Sequence, residues 1–340
     1  MKNEVAYVST DMVEPSERTE FWRGVTKQIY DITPLRENEQ LRASIKPARL
    51  DSLVLAELTF NAQRYLRTPH AIARSGLDDY LVQIVVSGPP VGEFGDTRER
   101  IEVGDIFFVD LAQATYIETQ AGRRLTIGVP RHPLEEMVGR KNLHGLRLKS
   151  QSPITMLLRD YLFGLYAVAP RLDGHASVAA RDALLTLFSG AIAGENTATP
   201  EVQSALQTAL RDRVLMFISQ QLHDPALGPE LLMRRFKVSR SYLYKIFEAD
   251  GGIAKVIREQ RLDLARKKLA STEPQAVSIK RLAFECGFSS SEHFIRLFKS
   301  RFGITPAALK TEGVVLAHDE SLLKYYHDTL LAHAVPAKNA

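Results

Sequence analysis

The sequence predicts an α+β chain: a mainly β N-terminal domain with some helices, then an all-α C-terminal domain of two helix-turn-helix units joined by a long helix. Short apolar runs separated by turn residues fill the first part of the chain. A repeated helical pattern occupies the last third. Charge is also divided: Pro229 to Lys310 carries 17 Lys and Arg against 8 Asp and Glu, a net +9 in a chain of net +4, which leaves the remainder at −5.

The 340 residues suffice for two domains, and a hydrophobic content of 45% suits a chain that buries a real core. No run of about 18 consecutive apolar residues stands out, and Met1 to Tyr7 lacks the apolar stretch of a signal peptide. A cytoplasmic protein without membrane contact is expected. The single cysteine, Cys286, excludes an intrachain disulfide and supplies no thiol cluster for zinc. A basic domain beside an acidic remainder favours a polyanionic partner.

Strand-like runs fall at Leu53 to Phe60, Tyr80 to Val86, Ile101 to Val109 and Leu125 to Val129. Turn residues at 87–90, 92–95 and 103–105 separate them, as in a sheet meander or small barrel. From Pro153 to Ala193 the spacing becomes helical, with one stripe through Leu157, Leu158, Tyr161, Leu162 and Leu165 and another through Leu184, Leu185, Leu187 and Phe188. Residues 1–193 are read as the first domain. Residues 194–200, small, polar and ending in proline, are read as a linker. Residues 201–310 form the second domain, and 311–340 a tail with a short helix suggested around Leu322 to Leu330.

In the second domain, Ser239 to Phe247 followed by Gly252 matches Ser290 to Phe298 followed by Gly303, and Phe247 and Phe298 stand 51 positions apart. Apolar residues at i, i+3 and i+4 (Leu243, Ile246, Phe247; Phe294, Leu297, Phe298) give each copy a buried stripe behind a serine cap. A short helix precedes each copy, Glu230 to Phe236 and Ile279 to Glu285, across a tight turn. The outward positions are Arg240, Ser241, Tyr244, Lys245 and Glu248 in the first copy and Ser291, Glu292, Ile295, Arg296 and Lys299 in the second. These are the candidate contacts to double-stranded DNA. A helix over Ile253 to Leu269 connects the two copies. Lys245 and Arg296 are equivalent anchors, whereas Tyr244 pairs with Ile295 and Ser241 with Glu292, so the two units should read different bases.

The run Ile279-Lys-Arg-Leu-Ala283, Gly287-Phe288, His293 to Arg296, Phe298-Lys299, Phe302-Gly303 and Thr305-Pro306, with Arg261, Ala265 and Leu269 upstream, resembles the DNA-binding domain of the AraC/XylS family of bacterial transcription regulators. Met233, Lys237 and Leu309-Lys310 depart from that family's pattern, Lys237 standing where a turn glycine is usual. The first part, through Phe21-Trp22-Arg23, Arg67 to Arg74, Asp79-Tyr80 and Val103-Gly-Asp105, is similar to the family's cupin-like (AraC-binding-like) sensor domain. The resemblance implies an effector-binding and dimerising N-terminal barrel, an aromatic acid or amine as effector, an activator's role, contact with RNA polymerase and a homodimer.

His70, Arg74 and Tyr80 are the candidate effector-binding residues, because an arginine can hold a carboxylate through two hydrogen bonds. The histidines His70, His132 and His144 are scattered singly, so no metal is expected. Neither a nucleophile elbow nor a phosphate-binding loop is present, so neither catalysis nor a cofactor is expected. Two other readings stay open: a metal-dependent cupin enzyme fused to a DNA-binding module, and a DNA-binding dimer without an effector.

Overall fold

The computed structural model describes residues 6–312 apart from 96, 140, 195–200 and 272–277, together with Val335 and Pro336. Residues 195–200 of the expected linker, and the helix suggested in the tail, lie outside the described residues. The chain forms two units: Met1–Ile72, Leu77–Asn196 and Asp319–Ala340 in one, Thr197–His318 with Ala73–Gly76 in the other.

The N-terminal part is built of strands β1 (Ala6–Ser9), β2 (Asp31–Pro34), β3 (Ala43–Leu50), β4 (Leu53–Phe60), β5 (Gln63–Arg67), β6 (Tyr80–Ser87), β7 (Pro90–Phe94), β8 (Thr97–Arg100), β9 (Ile106–Asp110), β10 (Thr115–Thr119), β11 (Gly122–Val129) and β12 (Arg147–Leu148), joined by β13 (Val335–Pro336) from near the chain end. Its helices are α1 (Arg18–Thr26), α2 (Pro69–Ser75), α3 (Arg131–Val138), α4 (Pro153–Val168) and α5 (Gly174–Gly194). One sheet runs β12-β9-β6-β11-β4-β3-β1-β13 and a second β2-β5-β10-β7-β8, and the described pairings are antiparallel.

The central strands of the larger sheet are apolar on both faces. Alternation sends Val54 and Ala56 of β4, Leu81 and Val85 of β6, and Phe107 and Val109 of β9 into a core between the sheets. Their neighbours Leu53 and Leu55, Tyr80, Val82 and Ile84, and Ile106 and Phe108 pack outward under α3, α4 and α5. A sheet covered on both sides reads as a continuous apolar run, which is why these strands are legible in the sequence. Helix α5 has the length and hydropathy of a membrane span, and here Leu184, Leu185, Phe188, Ala191 and Ile192 are buried in the core beneath it. The expected strand at Ile101 to Val109 begins only at Ile106, because residues 103–105 turn: Gly104 has φ +88°, and buried Asp105 accepts hydrogen bonds from the Glu102 and Ser150 amides.

The C-terminal unit is helical: α6 (Glu201–Gln220), α7 (Pro229–Phe236), α8 (Arg240–Ile246), α9 (Ile253–Ser271), α10 (Ile279–Glu285), α11 (Ser291–Phe302) and α12 (Pro306–Glu312). Prolines open α7 and α12, where the missing amide hydrogen costs nothing. Serines cap three helices: Ser239 Oγ accepts from the Tyr242 amide, Ser278 Oγ from Arg281 and Ser290 Oγ from His293. Val214, Ile218, Leu232, Leu243, Phe247 and Ile253 bury a core beneath the first unit. In the second unit Phe288, Phe294, Phe298 and Phe302 stack in series, with successive ring centroids 5.1, 5.6 and 4.6 Å apart.

Candidate nucleic-acid interface and barrel cavity

Helices α8 and α11 are each the second helix of a helix-turn-helix. The turns share one closure: the Val238 amide donates to the Met233 carbonyl at 3.2 Å, and the Phe288 amide to the Ala283 carbonyl at 3.0 Å. Lys237 and Gly287 both hold positive φ there, +53° and +78°. Two positions separate Lys237 from the cap Ser239 and three separate Gly287 from Ser290, so the first turn is one residue shorter than the second.

With the stripes buried, Arg240, Ser241 and Lys245 are exposed on α8, and Tyr244 is half-buried with Arg240 lying 5.5 Å over its ring. On α11, Glu292, Arg296 and Lys299 are exposed, and Ser291 and Ile295 half-buried. Arg240, Lys245, Arg296 and Lys299 form no ion pair among the described residues, which leaves four cations for phosphates and base edges. His293 on α11 and Lys280 and Arg281 on α10 are also exposed, Arg281 pairing with Glu285 at 2.7 Å. Helix α8 ends at Ile246, and Glu248 lies in a short 3-10 turn after it, so the first recognition helix is the shorter of the two.

Arginines fasten both units to the connector α9. Arg261 donates to the carbonyls of Leu222 and Asp224 at 3.1 and 2.6 Å. Arg301 of α11 donates to both carboxylate oxygens of Asp263 at 2.9 Å and to the Glu259 carbonyl at 2.7 Å. Cys286 is fully buried beside them, and desolvation pushes its thiol up to about 11, the state of a packed thiol rather than a nucleophile.

A cavity lies between the sheets of the β unit, with an empty space of about 650 Å³ including its mouth. Trp22 and Val25 of α1, Tyr30, Ile32 of β2, Ile45 of β3 and Arg124 of β11 are among its lining. The expected effector residues are not. His70 and Arg74 are exposed on α2, and Tyr80 sits on the outer face of β6, where its hydroxyl accepts from Arg131 Nη1 at 2.8 Å and approaches Glu135 Oε1 at 3.4 Å. Strand parity explains this correction: on β6 the odd positions 81 and 83 face the cavity, and Tyr80 faces the helices. Among the described residues no group of three or more His, Cys, Asp or Glu side chains is close enough to hold a metal ion.

Fold and interface together define a class: a β-rich binding domain joined to a double helix-turn-helix, the architecture of a DNA-binding transcription regulator. An AraC-binding-like domain model matches residues 26–193 and a helix-turn-helix domain model matches residues 232–312. The chain belongs to the AraC family of transcription regulators. The transcriptional activator NphR of a Rhodococcus species is 24% identical over 306 residues, covering 86% of this chain and 88% of NphR. The transcriptional activator RhrA of Rhizobium meliloti is 28% identical over 98 residues, covering 28% and 31% of the two chains. Among solved structures, the AraC-like transcriptional activator CuxR superposes with a TM-score of 0.52 at 20% identity, covering 76% of this chain and 94% of CuxR.

Proposed function

We propose that this chain is a transcriptional activator whose two recognition helices bind operator DNA and whose β domain holds a controlling small molecule. The observation that carries this reading is the pair of serine-capped amphipathic helices with exposed, unpaired cations, fastened to one connector. Recognition helices that enter successive major grooves lie roughly 34 to 36 Å apart along one duplex face. Arg240, Ser241, Tyr244 and Lys245 read one groove; Ser291, Glu292, Ile295, Arg296 and Lys299 read the next. NphR and CuxR, the relatives above, are transcriptional activators, which supports the activating sign. The protein acts in the cytoplasm as a homodimer that engages RNA polymerase, and by binding rather than catalysis. Met156, Leu157 and Phe163 on α4 and Val178 on α5 are exposed apolar residues suited to the dimer contact.

Selection of bound fragments from random duplex DNA tests the reading. Arg296→Ala is expected to cost about 1 to 3 kcal/mol at the selected site and to relax base preference in one half of it, because a guanidinium bridges two acceptors on guanine. The melting temperature should barely move, since Arg296 is exposed. An unchanged base preference removes Arg296 from the readout, and failure to enrich any sequence removes the regulator reading.

A further inference from the structure

Among the described residues, the cavity contains a cationic side chain with no acidic partner in its lining. Arg124 is 2% exposed, and neither Asp, Glu nor Lys lines the space around it. Its Nη1 donates to Gln83 Oε1 at 3.0 Å, while Nε and Nη2 are buried without an acceptor among the described residues. Phe60 and Tyr65 hold the guanidinium carbon 4.9 and 5.4 Å from their ring centroids. Stacking of this kind offsets charge at the face of the ion but leaves its N–H edge unsatisfied. Arginine remains protonated even when burial draws down its proton affinity, as it does here.

The other polar atoms of the lining without a hydrogen-bond partner among the described residues are Trp22 Nε1, the Tyr30 hydroxyl, Thr126 Oγ1 and Gln63 Oε1. The indole and guanidinium can only donate, the two hydroxyls can donate, and Gln63 Oε1 alone is restricted to accepting. Burial raises the Tyr30 hydroxyl far above its ordinary value and keeps it a neutral donor. Around these groups lie Val25, Ile29, Ile45, Leu58 and Leu81. A donor-rich floor with one cation in an apolar chamber suits an acceptor-rich anion on an apolar body. An amine meets no anion there, and a phosphate dianion meets one cation where it needs more.

We infer that the β domain binds a small organic carboxylate with an apolar body, the carboxylate seated on Nε and Nη2 of Arg124 and assisted by donors among Trp22, Tyr30 and Thr126. The site stands on its own geometry; that its occupant controls transcription rests on the regulator reading above.

The test is ligand-induced thermal stabilisation and calorimetry of the full chain. The probes are phenylacetate, benzoate, 3-phenylpropionate and octanoate at millimolar concentration, each beside the matched primary amide and amine. At least one acid is expected to raise the melting temperature while its amide and amine do not. Arg124→Met should weaken that acid roughly a hundredfold, and Arg124→Lys, which keeps the charge but loses the fork, by less. Without ligand, Arg124→Met should melt at or above the wild-type temperature, because methionine fills similar space without an unanswered charge. A clear fall in the ligand-free melting temperature makes Arg124 a structural residue and overturns the inference. So does an amide or amine that binds as well as its acid, an acid shift that survives Arg124→Met, or the absence of a shift with every acid. Gel shifts on selected DNA separate the two readings. An acid that binds through Arg124 without changing DNA affinity upholds the site and removes its regulatory role; an amine that binds the chain and changes DNA affinity upholds the regulator and overturns the carboxylate site.

Discussion

Phe298→Ala is expected to destabilise the C-terminal unit by about 3 to 5 kcal/mol, a large share of the roughly 5 to 15 kcal/mol that holds a typical domain folded. Phe298 is fully buried and central in an aromatic series, with ring centroids 5.6 Å from Phe294 and 4.6 Å from Phe302. Removing the ring loses both edge contacts and leaves a cavity whose walls, themselves rigid rings, cannot collapse inward. Two probes localise the effect. The single tryptophan, Trp22, lies in the β unit, so its fluorescence follows that unit's unfolding, whereas far-ultraviolet dichroism is weighted toward the helical unit. The helical transition should fall by several degrees while the tryptophan transition stays in place. A loss below about 1 kcal/mol would mean that the stacked rings are not the core of the second unit.

The helical half of this chain is more legible in sequence than the β half, for physical reasons visible in individual residues. Period, cap and turn all act locally in α8 and α11: Ser239 and Ser290 cap, Leu243 and Phe294 bury, and no distant segment is needed to place them. In the β unit the readable strands β4, β6, β9 and β11 are neighbours at the centre of one sheet. Strands of the other sheet carry polar residues outward. All four residues of β8 are exposed, and nothing in Thr-Arg-Glu-Arg distinguishes a strand from a loop.

Arg124 was hidden for a related reason. It alternates with Leu125, Ile127 and Val129 alongside Thr126 and Gly128, and the default reading turns the polar set to solvent. Helices packed on the outer face invert that reading. The apolar set faces them, and Arg124 and Thr126 face the cavity, while adjacent Arg123 turns outward to pair with Glu57. His70 and Arg74 lie on the exposed face of α2 and are absent from the cavity lining, and the residue-type argument for an arginine carried no information about which way its helix would turn it.

The last expected result concerns the turn at which the two helix-turn-helix units differ. Gly287→Ala should cost about 2 to 5 kcal/mol, combining left-handed backbone strain with overpacking. At φ +78° a Cβ on residue 287 would stand 2.3 Å from the Leu222 carbonyl oxygen and 2.7 Å from Arg261 Nε. Those two atoms are themselves hydrogen-bonded at 3.1 Å, so one methyl group drives apart the link between connector α9 and the segment after α6. A backbone carbonyl cannot rotate away as a side chain can, which places the cost in the fold rather than in a rotamer. Lys237, at φ +53° in the equivalent turn, is exposed and tolerates the same conformation with strain alone. Lys237→Gly should therefore stabilise the helical unit by roughly 0.5 to 1 kcal/mol, the relieved strain being partly offset by the entropy of a freer unfolded chain. Denaturant titration of the two variants, followed by dichroism, should show midpoints displaced in opposite directions with similar slopes. If Gly287→Ala loses no more than the strain at one residue, the close packing of the second turn against Leu222 and Arg261 is not what demands glycine there.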